Sequence, residues 1–206
     1  VPMTGAMAAG DCVIAKPSRH AVHTSELMIR MIADHFDPDH ISIIPGSREI
    51  NEHILKLPYD YIFFTGSTNV GKKVMEAASR FLTPISLELG GKSPVIIEPD
   101  SSPSLAARRI MWGKLLNAGQ SCVAPDYLLV HKDMTAPLLE EMKKYLEKTY
   151  GVDIKKSADY ARIINRENTE KLAGLLKDRN ILLGGDYNID EKSISPTVVK
   201  ITDMED

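Results

Sequence analysis

The chain has 206 residues, of which 43% are hydrophobic and 26% charged, so it holds enough apolar side chains for one large domain or two small ones. Its net charge of -3 gives no reason to expect nucleic acid or an anionic membrane as a partner, and no apolar run approaches the roughly 20 residues that span a bilayer. Two cysteines, Cys12 and Cys122, are too few for a disulfide framework, which predicts a reducing compartment such as the cytoplasm. The opening residues lack the regions of a signal peptide, and neither end closes on a regular element, so we expect a piece of a longer chain.

The first half of the chain alternates short apolar runs with segments of helical periodicity. The Gly-, Ala- and Met-rich opening is expected to lead directly into the first strand. Predicted strands cover residues 11–15, 41–44, 61–65 and 85–89, and predicted helices cover about residues 24–32, 47–55 and 72–81. Apolar strands separated by helices favour a parallel sheet covered on both faces. The predicted fold class is therefore α/β, with a doubly wound parallel sheet.

The pattern breaks at Gly90 and Gly91, where we place a boundary between two domains, residues 1–90 and 91–206. The second domain begins again with a strand and a helix. Its predicted strands cover residues 94–97, 127–130, 181–183 and 197–199, and its predicted helices cover about residues 104–116, 135–148 and 167–177. The second domain is thus also predicted to be α/β.

One candidate nucleophile lies in a loop of small residues. Cys122 follows Gly119, Gln120 and Ser121, between a helical run and a strand run. Small neighbours leave a thiol open to close approach by a substrate, although an isolated cysteine is more often a buried structural residue. Cys12 lies in an apolar strand run, where burial would suppress its thiolate, so Cys122 is the expected reactive thiol.

A glycine-containing turn, Gly66 to Gly71, joins a predicted strand to a predicted helix. The N-terminus of a helix favours a phosphate, because its N–H groups and its dipole both attract an anion. The turn is not a P-loop, since Lys73 stands where a magnesium-binding hydroxyl is required, and it is not G-x-G-x-x-G. A dinucleotide loop and a plain turn both remain open on this pattern.

Two charged residues stand at the ends of predicted apolar strands. Glu88 would have its pKa raised by an apolar setting, toward the range useful to a general base, unless it faces outward. Lys16 follows a strand at the end where α/β sheets bind ligands, although an ordinary exposed lysine is the alternative. His20 and His23 have no companion that completes a metal site, so no metal is expected.

Four segments together resemble motifs of the aldehyde dehydrogenase superfamily. Residues 16–18 are similar to its K-P-S turn, and residues 64–71 to F-T-G-S-x-x-x-G. Residues 88–94 are similar to E-L-G-G-K-x-P, and residues 119–122 to the G-Q-x-C nucleophile loop. The residues around the cysteine, 118–127, are most similar to those of the class 3 branch. Each motif is weak alone, but four in the same order along nearly the whole chain are specific.

The resemblance implies a fold and an activity. The first domain would be part of a Rossmann-like cofactor domain, and the second part of a catalytic domain. Cys122 would be the nucleophile that carries a thiohemiacetal and then a thioester, and Glu88 the general base for hydrolysis to a carboxylic acid. The residues implied in binding NAD or NADP are Lys16, Ser18, Arg19, Gly66, Ser67, Val70 and Gly71. The implied substrate is a small aldehyde. The parent protein would be a homo-oligomer, specifically a dimer.

The choice of dinucleotide depends on Arg19. The family often has Glu at this position, where it binds the adenosine ribose and repels a 2′-phosphate. Arginine removes that repulsion and pairs with a phosphate, with Lys16 as a second positive charge, so NADP is expected to be accepted beside NAD. The alternative is an Arg19 that points to solvent.

Two elements of the family pattern are absent from the sequence. The oxyanion asparagine would lie upstream of Val1, and the E-E-I-F-G-P segment that holds the nicotinamide ribose would begin beyond Asp206. An inactive fragment or structural derivative of the fold is therefore one alternative. A coenzyme-A-acylating dehydrogenase is another, but it does not need Glu88 as a base. A cysteine hydrolase or acyltransferase would need a histidine near the thiol, and no motif suggests one.

Overall fold

The structure, a computed structural model, describes residues 2–201. Over this range the chain divides between Leu89 and Gly90 into two units, each with its own internal packing. Both units combine helices with parallel strands, which confirms the predicted α/β class. No helix within residues 2–201 has both the length and the apolar character needed to cross a bilayer.

The first unit consists of two strand–helix–strand segments preceded by a helix. Its helices are α1 (Pro2–Ala9), α2 (Val22–His35), α3 (Arg48–Ile54) and α4 (Thr68–Ser79), and its strands are β1 (Val13–Ala15), β2 (Ile41–Ile43), β3 (Ile62–Thr65) and β4 (Ile85–Glu88). Strands β1 and β2 pair in parallel, as do β3 and β4, and a helix lies between the strands of each pair in the sequence. Among the described residues the pairing stops at two strands per sheet, so the expected parallel arrangement appears as two pairs.

The helix α1 contradicts the expectation that the opening leads directly into a strand. Ala and Met are among the strongest helix formers, and they dominate this segment. Pro2 stands at the first helical position, where its missing N–H breaks no hydrogen bond. Local propensity therefore forms a turn of helix and more before β1 begins.

Helix α4 is fixed against the end of strand β4 by small and apolar residues. Val74 and Ala78 are buried on its inner face. Gly71 is buried one turn earlier, where a Cβ atom would lie 2.9 Å from Cδ2 of Leu89. At the start of the helix the Ser67 hydroxyl accepts a hydrogen bond from the N–H of Val70. These contacts place the first turn of α4 beside the carboxyl end of the β3–β4 pair.

The second unit contains one further parallel pair and two antiparallel pairs. Its helices are α5 (Pro103–Leu115), α6 (Thr135–Tyr150) and α7 (Arg166–Gly174), and its strands are β5 (Ser93–Ile97), β6 (Pro125–Val130), β7 (Asn180–Leu183), β8 (Tyr187–Asn188), β9 (Ser193–Ile194) and β10 (Val198–Lys200). Strands β5 and β6 are parallel with α5 between them in the sequence, whereas β7 pairs antiparallel with β10 and β8 with β9. The strands and helices predicted for this half are all present, with shifted ends.

The core of the second unit lies where α5 and α6 pack on the β5–β6 pair. Its buried members are Ile97, Ala107, Ile110, Met111, Leu115, Met134, Leu138, Met142 and Tyr160. Each large apolar side chain fully buried in this way contributes roughly 1.5–3 kcal/mol of stability. The Tyr160 hydroxyl donates a hydrogen bond to the Ile194 carbonyl at 3.2 Å, which ties this core to β9. Helix α5 thereby has a fixed C-terminus from which the cysteine loop begins.

Candidate active site

Cys122 lies in the loop between α5 and β6, which we call the thiol loop (residues 116–124). Its thiol is free and exposed, and its neighbours Ser121 and Val123 are exposed as well. The thiol is therefore open to an incoming carbonyl carbon. The alternative of a buried structural cysteine is wrong for Cys122.

Three consecutive residues near the start of the thiol loop have the left-handed conformation. Asn117 and Ala118 both have φ of 53°, and Gly119 has φ of 78°. A non-glycine residue pays roughly 1–2 kcal/mol for this conformation, although asparagine offsets part of the cost by local hydrogen bonding. The Asn117 side-chain amide donates to the Gln120 carbonyl at 3.3 Å. A Cβ atom at Gly119 would also lie 3.2 Å from the Lys114 carbonyl oxygen, so both conformation and space favour glycine there.

The side chain of Gln120 connects the thiol loop to another part of the second unit. Its Nε2 donates to the Asn117 carbonyl and to the Arg162 carbonyl, each at 3.0 Å. Its Oε1 accepts from the N–H of Ile164 at 2.9 Å. In the sequence Gln120 is only one position of the G-Q-x-C match, and these contacts could not be predicted from it. The one signal in the sequence is a long amide side chain among small neighbours.

Gly91 approaches the backbone of Cys122 from the start of the second unit. A Cβ atom at Gly91 would lie 2.3 Å from the Cys122 carbonyl oxygen, which is closer than any real contact. Backbone does not yield as a flexible side chain does, so only glycine fits here. Gly91, a position of the E-L-G-G-K-x-P match, is thus packed directly on the residue that carries the thiol.

Two lysines converge on one carboxylate beside the thiol loop. The ammonium group of Lys92 lies 3.2 Å from Asp126 Oδ2, and that of Lys114 lies 3.9 Å from Asp126 Oδ1. The lysine side chains are exposed, so each pair contributes roughly 0–1 kcal/mol. The two ion pairs act locally. They connect the residue before β5, the end of α5 and the start of β6 around the thiol loop.

The predicted phosphate turn, Gly66 to Gly71, lies at the start of α4 in the first unit. Gly66 and Ser67 are exposed, Val70 is exposed at the helix surface, and Gly71 is buried against Leu89. The turn therefore presents the N-terminus of a twelve-residue helix to solvent. This geometry suits an anionic group, which is the role that the family resemblance implies for the turn, and that role stays a prediction.

Glu88 ends strand β4 beside this turn. Thr65 pairs with Glu88 in the parallel register, and the Gly66 N–H donates to the Glu88 carbonyl at 3.0 Å. The Glu88 side chain is exposed, which agrees with the outward-facing alternative and not with an apolar setting. The reason is its position as the last residue of the strand, where the side chain leaves the packed face. The structure thus brings Glu88 and the glycine turn to the same edge of the first unit.

A cavity of about 380 Å³ lies after strand β1. Ligand pockets typically have roughly 300–1,000 Å³. The polar and charged residues that line the cavity include Ser18, Arg19, Ser25, Glu26 and Ser47. Ser18 and Arg19, which the sequence analysis selected, are thus brought together, whereas Glu26 was missed because nothing in its helical segment distinguishes it from a solvated acid. Arg19 lines the cavity and is also exposed, so the alternative in which it points to solvent stays open.

Lys16 does not line that cavity. Its ammonium group donates to the Pro17 carbonyl at 2.7 Å, and the residue is half-buried. Burial, and to a smaller extent the nearby Arg19 guanidinium, lower the pKa of Lys16 below its ordinary value. The positive charge of Arg19 therefore acts on Lys16, but the Lys16 ammonium group is turned toward the neighbouring backbone.

Cys12 is exposed, which corrects the expectation that burial distinguishes it from Cys122. It precedes β1 instead of lying within it, so it has no packed face to occupy. Exposure alone does not separate the two thiols. Among residues 2–201 no group of three or more His, Cys, Asp or Glu side chains is arranged to hold a metal ion.

Comparison with known proteins identifies the family. The family model described as "Aldehyde dehydrogenase family" matches residues 2–205. The chain is 43% identical over 206 residues to "Aldehyde dehydrogenase family 3 comG" of Dictyostelium discoideum, covering all of this chain and 44% of that protein. It is 42% identical over 198 residues to "Aldehyde dehydrogenase, dimeric NADP-preferring" of Rattus norvegicus, covering 96% of this chain and 44% of the relative.

A solved structure agrees with these matches. The substrate-bound state of AldH from Staphylococcus aureus superposes with a TM-score of 0.90 at 44% identity, covering 96% of this chain and 44% of that one. The chain thus spans less than half the length of the relatives it matches. The match to the family model along nearly the whole sequence means that this chain belongs to the aldehyde dehydrogenase family.

Proposed function

We propose that the full-length protein containing this chain oxidises an aldehyde to a carboxylic acid with NAD or NADP, and that Cys122 is its nucleophile. The observation that carries the proposal is an exposed free thiol on a loop fixed by Gly91 and Gln120, in a member of this family. Cysteine is the most nucleophilic of the candidate side chains, and a fixed loop holds it in one position for attack.

Cys122 forms the covalent intermediates. Its thiolate adds to the aldehyde carbon, and the carbonyl oxygen becomes the anionic oxygen of a thiohemiacetal that N–H groups stabilise. A bound nicotinamide supplies the acceptor for the hydride that leaves this carbon. Loss of the hydride restores the carbonyl and leaves a thioester on the cysteine sulfur.

Glu88 is proposed as the general base that completes the reaction. Its carboxylate takes a proton from water, the water oxygen adds to the thioester carbon, and the carbon–sulfur bond breaks to release the acid and the Cys122 thiolate. The exposed position of Glu88 at the end of β4 supports this role, because it gives the carboxylate access to water and to proton exchange with solvent.

Residues 1–90, the first unit and one residue more, are proposed as the later part of the cofactor domain, and residues 91–206 as the earlier part of the catalytic domain. The residues present in the first unit suit a dinucleotide. The start of α4 offers N–H groups and a positive dipole end to a pyrophosphate at Gly66, Ser67 and Gly71, with Val70 on the surface beside them. The cavity lined by Ser18 and Arg19 is large enough for part of the adenosine, with Lys16 as an adjacent cation.

NADP is proposed to be used beside NAD. Arg19 supplies a cation that pairs with a 2′-phosphate, and Glu26 in the same cavity supplies an acceptor for ribose hydroxyls. The rat relative, named as NADP-preferring, supports this assignment at 42% identity. That relative is also named as dimeric, and we propose a homodimer for the full-length protein. A thiolate nucleophile needs a reducing compartment, for which the cytoplasm is proposed.

The test replaces each cysteine in the full-length protein. Hexanal and NADP serve as probes, and the reduced cofactor and hexanoic acid are quantified. Cys122→Ser is expected to abolish the burst of reduced cofactor, by roughly 10³-fold or more, because the hydroxyl is a far weaker nucleophile at neutral pH. Cys12→Ser, the same change at the other exposed thiol, should leave the burst intact. Retained turnover in Cys122→Ser would exclude the proposed chemistry.

A further inference from the structure

The Gln120 amide occupies the place of a neighbouring strand beside residues 162–164. It donates to the Arg162 carbonyl and accepts from the Ile164 N–H, the two backbone groups that flank Ile163. In a parallel ladder a residue uses these same two groups of its partner strand. The remaining N–H of the amide returns to the Asn117 carbonyl at 3.0 Å within the thiol loop. Every donor of this side chain is therefore engaged, and its bonds fix both the loop and the segment it faces.

The segment that Gln120 contacts is itself anchored. Ile163 is buried, and its N–H donates to the Lys192 carbonyl at 2.8 Å. The Arg162 guanidinium donates to the Lys155 carbonyl at 2.9 Å and reaches the Tyr160 carbonyl at 3.4 Å. Tyr160 belongs to the core of the unit. The amide thus connects the thiol loop to a part of the fold that packing holds in place.

The thiol loop depends on such an anchor. Ala118 holds a left-handed conformation that its side chain does not favour, directly after Asn117 in the same conformation. Residues 121–123 are exposed, so burial does little to hold Cys122. Gln120 precedes Cys122 by two residues, and its amide sets where the backbone of the loop stands. From these contacts we propose that Gln120 is a positioning residue, which holds the Cys122 sulfur in line with the carbonyl carbon during attack.

This inference rests on the proposed role of Cys122, and its experiment separates the two. In the full-length protein Gln120→Met keeps the length of the side chain and removes both donors and the acceptor. The burst of reduced cofactor with hexanal and NADP measures the oriented attack, whereas alkylation of Cys122 by iodoacetamide, followed by peptide mapping, measures only access to the thiol. We expect the burst rate to fall roughly 10- to 100-fold, the effect of a displacement of about 1 Å, while alkylation changes less than about threefold.

A matched control lies in the same loop. Ser121→Ala removes a polar side chain one residue nearer to the thiol and should change neither rate. An unchanged burst in Gln120→Met overturns the inference, and so does an equal fall in burst and alkylation, which would mean that the amide maintains access instead of geometry. Failure of the proposed function is recognised separately, because the Cys122→Ser variant would then keep the burst of reduced cofactor seen with the wild-type protein.

A second variant guards against a loss of folding in Gln120→Met. In Gln120→Glu the ionised carboxylate keeps the acceptor toward Ile164 but faces the Arg162 carbonyl without a donor. Protonation restores one donor, so the burst rate relative to wild type should rise as the pH is lowered from 8 to 5. A ratio that stays constant over this range overturns the positioning role, since a merely structural defect would not follow the state of that carboxyl.

Discussion

Gly91 lies so close to Cys122 that a single added carbon would overlap the Cys122 carbonyl oxygen, at 2.3 Å. The relationship joins two sequence motifs that are some thirty residues apart in the chain. It also shows that the position of the thiol is set by backbone packing and not by the cysteine side chain, which is exposed. Any side chain at Gly91 must displace the loop that carries Cys122.

Gly91→Ala is therefore expected to impair both folding and catalysis in the full-length protein. Overpacking against backbone typically costs roughly 1–3 kcal/mol, and a displaced sulfur slows attack roughly 10²-fold. Thermal unfolding and the burst of reduced cofactor measure the two effects. Gly90→Ala is the matched control, because a Cβ atom there meets nothing within 4 Å. Equal behaviour of the two variants would contradict the packing argument.

Tyr160 is expected to make the free energy of unfolding fall as the pH rises in the alkaline range. Burial, with a smaller contribution from Tyr150, raises the pKa of Tyr160 from its ordinary value of 10.0 to about 12. Because the folded pKa lies above the unfolded one, the stabilisation is complete below pH 10 and is lost as the pH rises from 10 to 12. The loss corresponds to roughly 2–3 kcal/mol at most. Denaturant unfolding at a series of pH values measures it.

The control for this prediction is Tyr160→Phe. The variant loses the hydrogen bond to the Ile194 carbonyl and should be less stable at neutral pH, by roughly 0.5–1.5 kcal/mol. Its stability should fall less steeply than that of wild type between pH 10 and 12, since one ionisable group has been removed from the core. Parallel curves for the two proteins would mean that other tyrosines dominate this range.

Glu88→Gln tests the role of the base separately from that of the nucleophile. The amide cannot take a proton from water, so thioester hydrolysis should slow by roughly 10²-fold or more, while attack and hydride loss continue. Rapid-mixing measurements are expected to show a full burst followed by slow turnover. Thr65→Ser, at the residue paired with Glu88, is a control that leaves the carboxylate in place. If burst and turnover fall together, Glu88 acts before the thioester forms; if coenzyme A alone restores turnover, the acylating reaction is favoured instead.

The alternation of strands and helices could be predicted from the sequence because apolar runs and helical stripes follow local rules. The apolar run over residues 61–65 and the helical stripe over about residues 72–81 both predict elements that the structure has, although the helix begins earlier, at Thr68. The helix α1 was missed because a Gly-containing opening suggested a break, although Ala and Met propensity decided the outcome.

The residues of the candidate site stay predictions from motif order, and their surroundings could not be predicted from the sequence. Motif order identified Cys122 and Glu88, but the exposure of Glu88 and of Cys12 depends on where each strand ends relative to its neighbours. The bonds of Gln120 to residues more than forty positions later are a property of the tertiary fold, and no local pattern contains them. Long-range backbone approach, as at Gly91, is equally invisible before the chain is folded.

The last prediction concerns how Arg19 and Glu26 divide the choice of dinucleotide. Both line one cavity and carry opposite charges, so they should act in opposite directions on a 2′-phosphate. In the full-length protein Arg19→Glu should lower the NADP-to-NAD ratio of kcat/KM on the order of tenfold, the worth of one charge-assisted contact. Glu26→Gln should raise the same ratio, because it removes a repulsive carboxylate. Arg30→Glu changes the net charge equally on an exposed part of α2 outside the lining residues, and it should leave the ratio unchanged. If Arg19→Glu and Arg30→Glu shift the ratio alike, the effect is one of overall charge, and Arg19 does not contact the cofactor.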